Sequence, residues 1–293
     1  MKMKRSWPLW IFSVVVTLFT AYYQRNTGPT HPKKIEVTVA QISYTLSCPR
    51  SLRTAITPKQ GEGAWEKLGK TTLLKIKSSA KENGARLSAE TPITLHYRRA
   101  RSQGDWETIS ATIDADGTIE AALPAQPPAG KLAYYLQVDN IALSKDAPIV
   151  VRFRNNVPVW VLVPHILFMY AAMLLSTICG LFALINNNRW KRYAWLSMVI
   201  LLMGGLILGP IVQKFAFGAY WTGWPVGEDL TDTKTLIAAC FWGVVILFSN
   251  KKAGRLFALL AAIALLAIFS IPHSTSGSEF NYESGLVGTE RSS

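Results

Sequence analysis

Three residues spaced by four, His165, Met169 and Met173, fall on one stripe if the segment that carries them is helical. One imidazole and two thioethers are soft donors that suit a copper ion, and His165 alone could ligate haem. A second group sits in "FGAYWTGWPVGEDLTDTK", residues 217–234, where Glu228, Asp229 and Asp232 place three carboxylates within five residues. Hard oxygen donors of this kind suit calcium or magnesium, and an added imidazole would admit zinc or another transition metal. His273 and Glu279 are candidates to join them. His273 is also a second haem candidate, but His165 would lie about 8 Å deeper along its helix, which disfavours a simple bis-histidine pair. Each group has a structural alternative: methionine as apolar filler, histidine bonded to backbone, and carboxylates as helix caps or as partners of Lys214 and Lys234.

The elements that must position these residues are mostly apolar. The chain has 293 residues, 49% of them hydrophobic, with a mean hydropathy of +0.20. Residues 1–24 read as an N-terminal signal-anchor helix, and 158–272 as a four-helix transmembrane domain with spans at about 160–185, 194–213, 232–249 and 255–272. The fourth apolar run reaches membrane-spanning length only if its helix begins near Asp232. A cleaved signal is the alternative for the first run, but "TLFTAYYQR" has no A-x-A cleavage pattern. Gly205, Gly209 and Pro210 predict a small-residue face and a bend in the third span.

The formal charge of +13 is largely a matter of topology. Lys2, Lys4 and Arg5, then Arg189, Lys191 and Arg192, then Lys251, Lys252 and Arg255 flank apolar runs in alternate breaks; removing these nine leaves +4 elsewhere. The positive-inside rule then puts the N-terminus in the cytoplasm. Residues 25–157 and the polar tail 273–293 fall on the opposite, outer side. This charge distribution excludes nucleic acid as the natural partner. The aromatic loop with Tyr220, Trp221 and Trp224 then lies outside, at headgroup level. None of the runs holds an interior Asp, Glu, Lys or Arg, which weighs against an ion-coupled pump. With three cysteines there is no disulfide framework, and Cys48 is expected to be buried and inert.

Residues 25–157 change character. Ile93, Leu95 and Tyr97 alternate with Thr94, His96 and Arg98, and a similar period runs through 132–138. Short strands between Gly, Pro and Asp turns predict an all-β sandwich of Ig or fibronectin-III type. The phase slips by one residue between Val39 and Ile42, which predicts a turn or bulge at Ala40 and Gln41. Arg98, Arg99 and Arg101, with His96 beside them, could bind an anionic glycan or lipid headgroup, or could be solvated strand-end charge. No nucleophile, base and orienting acid group together here, which argues against an active site in this domain.

The segments "VPHILFMYAAMLLST", "GGLILGPIVQKFAFGAYWTGWPVGEDLTDTKTLIA", "IPHSTSGSE" and "LPAQPPAGKLAYYLQV" resemble those of a family of uncharacterised bacterial inner-membrane proteins. In that family a periplasmic fibronectin-III or Ig-like sandwich precedes a four-helix membrane region. The resemblance implies an architecture and an envelope setting, and no functional residues. The expectation is therefore a non-enzymatic membrane protein that presents its β domain to an envelope protein partner. A haem or copper protein and a small-molecule carrier are the alternatives.

Overall fold

A computed structural model describes residues 6–54, 70–80, 86–272, 277–282, 285, 287 and 288. The chain divides into two compact units, one of β-strands (29–156 with 279–288) and one of helices (1–28 with 157–278 and 289–293).

The β unit contains β1 (Lys33–Val39), β2 (Ile42–Cys48), β3 (Ser51–Arg53), β4 (Thr71–Ala80), β5 (Ile93–Arg99), β6 (Glu107–Ile113), β7 (Ile119–Pro124), β8 (Lys131–Val138), β9 (Ile141–Leu143) and β10 (Ile149–Arg154). They form one curled sheet in the order β1-β2-β4-β7-β6-β5-β8-β10-β3, with β9 paired to β8. Period-two sequence produces the expected faces. In β5 the side chains of Ile93, Leu95 and Tyr97 are buried and those between them are half-exposed. Register then brings Leu95 opposite Leu136 and Tyr97 opposite Tyr134. These join Leu46, Leu74, Ile76, Ile119, Val151 and Phe153 in a single core. The phase slip is a turn: Ala40 and Gln41 both adopt positive φ, 47° and 66°, and Val39 pairs with Ile42 across a two-residue hairpin. In the "DADG" turn Asp114 Oδ1 accepts from the amides of Asp116 and Thr118, both at 2.9 Å. A short ladder of β11 (Glu279–Phe280) and β12 (Val287–Gly288) belongs to this unit.

The helical unit contains α1 (Trp7–Thr27), α2 (Val159–Leu184), α3 (Trp190–Leu201), α4 (Gly209–Phe217), α5 (Leu230–Leu247) and α6 (Gly254–Ser270). A π-helical segment, Leu202–Leu208, joins α3 to α4 into one continuous rod. Among the described residues three helices are long and apolar enough to cross a membrane: Val159–Leu184, Trp190–Phe217 and Leu230–Leu247. The fourth apolar run reaches that length because α5 starts at Leu230, two residues before Asp232. α6 is apolar but has 17 residues, and α1 ends in a tyrosine-rich, polar stretch. Outward side chains are greasy: Trp160 is 73% exposed, Leu167 62% and Leu247 79%. Such a surface suits lipid better than water.

The bend expected at Pro210 takes the form of the π segment. Proline offers no N–H and its ring crowds the carbonyl four residues back, and here the helix widens just upstream of it. The amide of Gly209 bonds to the carbonyl of Gly204, five residues back. The tight contacts fall at Gly204 and Gly205, whereas Gly209 meets only ordinary ones. A Cβ on Gly204 would lie 2.8 Å from Phe168 Cβ, and one on Gly205 would lie 2.5 Å from Thr235 Cγ2. Gly205→Ala should therefore destabilise the bundle by about 1–3 kcal/mol, read as a lower unfolding temperature in detergent.

Cys48 is fully buried in the β core, and burial pushes its thiol up to about 12. The folded state thus disfavours the thiolate. This group's contribution to stability is intact below pH 9 and is lost as pH rises toward 12. In a chain carrying Cys179→Ser and Cys240→Ser, iodoacetamide at pH 9 should alkylate Cys48 more than about a hundredfold faster after denaturation than before.

Candidate functional site

Around the break between α4 and α5 the helical unit buries a polar cluster of Gln213, Thr222, Asp229, Lys234 and Ser278, with Asp232 half-buried. Helix α5 must begin with unpaired amides, and Asp229 is its N-cap: Oδ1 accepts from the amide of Thr231 at 2.7 Å. The other oxygen of Asp229 accepts from the amide and the hydroxyl of Ser278, each at 2.8 Å, and faces Thr222 Oγ1 at 3.3 Å. Asp232, one turn into the helix, turns back to the loop and accepts from the amides of Thr222 at 2.8 Å and Gly223 at 3.1 Å. Gly223 has to be glycine, since a Cβ there would lie 2.5 Å from Asp232 Cβ. Thr233 accepts from the amide of Trp224 and donates to the carbonyl of Asp229, both at 2.9 Å. Lys234 is 3% exposed and donates to the carbonyl of Ile271 at 2.7 Å, with Asp229 as a nearby opposite charge.

This arrangement closes a loop. Protein donors reach both oxygens of Asp229 and the Oδ2 of Asp232, and Ser278 donates its hydroxyl hydrogen into the Asp229 carboxylate. Gln213 approaches Thr222 Oγ1 at 2.5 Å through Nε2, and its Oε1 has no hydrogen-bond partner among the described residues. Reversing the amide would exchange an orphan acceptor for an orphan donor. Glu228 is exposed beside the cluster. Among the described residues, no three His, Cys, Asp or Glu side chains come together in a way that could hold a metal ion.

The methionine and histidine stripe is packed on the π segment. His165 Nδ1 lies 2.9 Å from the carbonyl of Gly204, so as donor it leaves Nε2 as the basic nitrogen. Met169 Sδ lies 3.1 Å from where a Cβ on Gly204 would be, and Met173, 2% exposed, belongs to the helical core. His273 lies outside the described residues. Glu279 is held in the β unit by Lys131 at 3.1 Å and Arg101 at 3.0 Å. Lys214 donates to the carbonyl of Gly218 at 2.7 Å and sits 5.2 Å from the Tyr220 ring. Of the loop aromatics, Tyr220 and Trp224 are exposed, and Trp221 Nε1 donates to the carbonyl of Trp224 at 3.2 Å.

Residue types pointed to Asp229 and Asp232 but not to their partners. Gln213 carried a weak signal, as an amide at the end of an apolar run. Ser278 carried none, because its partner is 49 residues away. Comparison of the chain with protein-family models, with curated proteins and with solved structures gives no match in any of the three.

Asp229→Ala removes the cap and the carboxylate that accepts from the amide and hydroxyl of Ser278. Thermal unfolding in detergent should show a loss of about 2–4 kcal/mol, against about 1 kcal/mol for Asp229→Asn.

Proposed function

We propose that this chain is a non-enzymatic integral protein of the bacterial cytoplasmic membrane, which anchors an Ig- or fibronectin-III-like sandwich on the periplasmic side for contact with an envelope protein partner. In this reading α1 is an uncleaved anchor and α6 a fourth span of the membrane domain.

One observation supports the orientation above the others. The two internal basic loops meet at the same end of the bundle: Arg255 donates to Asn186 Oδ1 at 2.8 Å and to Asn188 Oδ1 at 2.9 Å, and Lys191 donates to Asn250 Oδ1 at 2.9 Å. The aromatic residues Trp160, Phe215, Tyr220 and Trp224 belong to the opposite helix ends. Cations gathered at one end of a bundle are what a cytoplasmic surface selects, whereas aromatic rings belt both interfaces. The β unit is compact, with its own core, as a presented domain has to be.

A second reading, a haem or copper site, draws on His165. Metal-bound imidazoles usually donate their other nitrogen to a carbonyl, as His165 does to Gly204.

Reporter fusions test the first reading. Fusions after Asn155, Val226 and Ser293 should be active only in the periplasm, and those after Tyr193 and Ala253 only in the cytoplasm; a cytoplasmic signal after Asn155 sinks the proposal. An absorption spectrum with metal analysis of the purified protein tests the second, which a flat Soret region and substoichiometric metal would remove.

A further inference from the structure

The sheet is electropositive on its outward face where β8, β10 and β3 lie side by side. In β10 the side chains of Val151 and Phe153 enter the core, so Arg152 and Arg154 leave on the other face. In β3 Leu52 packs on the core, which leaves Ser51 and Arg53 outward. Register then sets Lys131 opposite Arg152, Arg152 opposite Ser51, and Arg154 opposite Arg53.

Most of the neighbouring cations are employed. Glu279 pairs with Lys131 and Arg101, Arg98 donates to the carbonyl of Gly104 at 3.2 Å and stacks on Trp106, Arg99 lies over the Tyr282 ring, and Arg152 is buried. Arg53 and Arg154 differ. Arg154 donates through Nε to Ser51 Oγ at 3.2 Å, which fixes the guanidinium and leaves its two terminal nitrogens, and Arg53 is exposed. Neither forms an ion pair with a carboxylate among the described residues. Like charges directly opposite each other on a sheet repel, and burial together with the charge of Arg53 holds the Arg154 guanidinium below its usual range. An external anion between the two would relieve that repulsion. Guanidinium groups on strands about 4.8 Å apart suit the two free oxygens of one phosphate diester.

The source of that phosphate follows from the chain. Val159, the first residue of α2, is five residues on from Arg154, at most about 18 Å of extended backbone. Helix α2 is long and apolar enough to cross a membrane, and the exposed Trp160 at its start suits the headgroup level. We propose that Arg53 and Arg154 hold the phosphate of an anionic membrane phospholipid at the surface from which α2 enters the bilayer. The inference rests on α2 being a membrane span and is independent of which face of the membrane the β unit occupies.

The full chain in dodecyl maltoside is titrated calorimetrically with dioctanoyl phosphatidylglycerol, dioctanoyl phosphatidylcholine and inorganic phosphate. Phosphatidylglycerol should saturate and bind about tenfold or more tightly than phosphatidylcholine, and inorganic phosphate at about 10 mM should not displace it. Arg53→Gln and Arg154→Gln should each weaken phosphatidylglycerol about three- to tenfold, and Arg154→Lys should recover only part of that, since an ammonium lacks the fork. Lys145→Gln, an equal charge change at an exposed position between β9 and β10, should leave the affinity unchanged. Without lipid, Arg53→Gln should unfold at or above the wild-type temperature, because one of two facing like charges is gone. Equal affinity for the two lipids overturns the proposal. So does equal binding by wild type and Arg53→Gln, or a loss with Lys145→Gln as large as with Arg53→Gln. Displacement by inorganic phosphate makes the ligand a free anion and overturns the lipid assignment. Entry into pure phosphatidylcholine nanodiscs tests the membrane span separately: a chain that enters them yet does not prefer phosphatidylglycerol keeps the span and loses the lipid site.

Discussion

The helical unit is arranged around the junction of its two basic loops. Lys191 and Arg255 reach across to asparagine amides of the opposite loop, so the turns after α2 and after α5 form one polar cap. A guanidinium or ammonium cannot be moved into hydrocarbon without a large desolvation penalty, and this cap keeps both outside the apolar layer while satisfying their donors with neutral partners. Once both loops are held at one end, α2, the long α3–α4 rod and α5 must run back and forth between that cap and the aromatic end.

At the aromatic end the difficulty is reversed. The chain must break between α4 and α5, which exposes carbonyls and amides beside an apolar surface. Asp229 and Asp232 answer it together, one by capping α5 and binding Ser278, the other by folding back on Thr222 and Gly223. Three carboxylates in five residues look like a metal site in one dimension. In three dimensions two of them turn into the loop, where both oxygens of Asp229 and the Oδ2 of Asp232 accept hydrogen bonds. The π segment is a second local accommodation, in which Pro210 removes a donor and His165 approaches the carbonyl of Gly204 from the neighbouring helix.

In the β unit the informative feature is an incomplete ladder. β6 and β7 meet only through Thr112 with Glu120 and Ile113 with Ile119, whereas their outer neighbours stay paired along longer stretches.

Much of this was legible in local pattern. Alternation at 93–97 marked β5, the one-residue slip after Val39 marked a turn, and apolar runs bounded by basic residues marked the helices and their breaks. These signals are local because periodicity and transfer free energy depend on residues a few positions apart. The candidate residues were less legible. That Asp229 binds Ser278 and that Glu279 is taken by Lys131 and Arg101 depend on backbones 49 or more residues apart. Composition names the groups that need partners, but the folded chain decides which donor arrives first, because a buried polar atom is satisfied by whatever the packing brings within 3 Å of it.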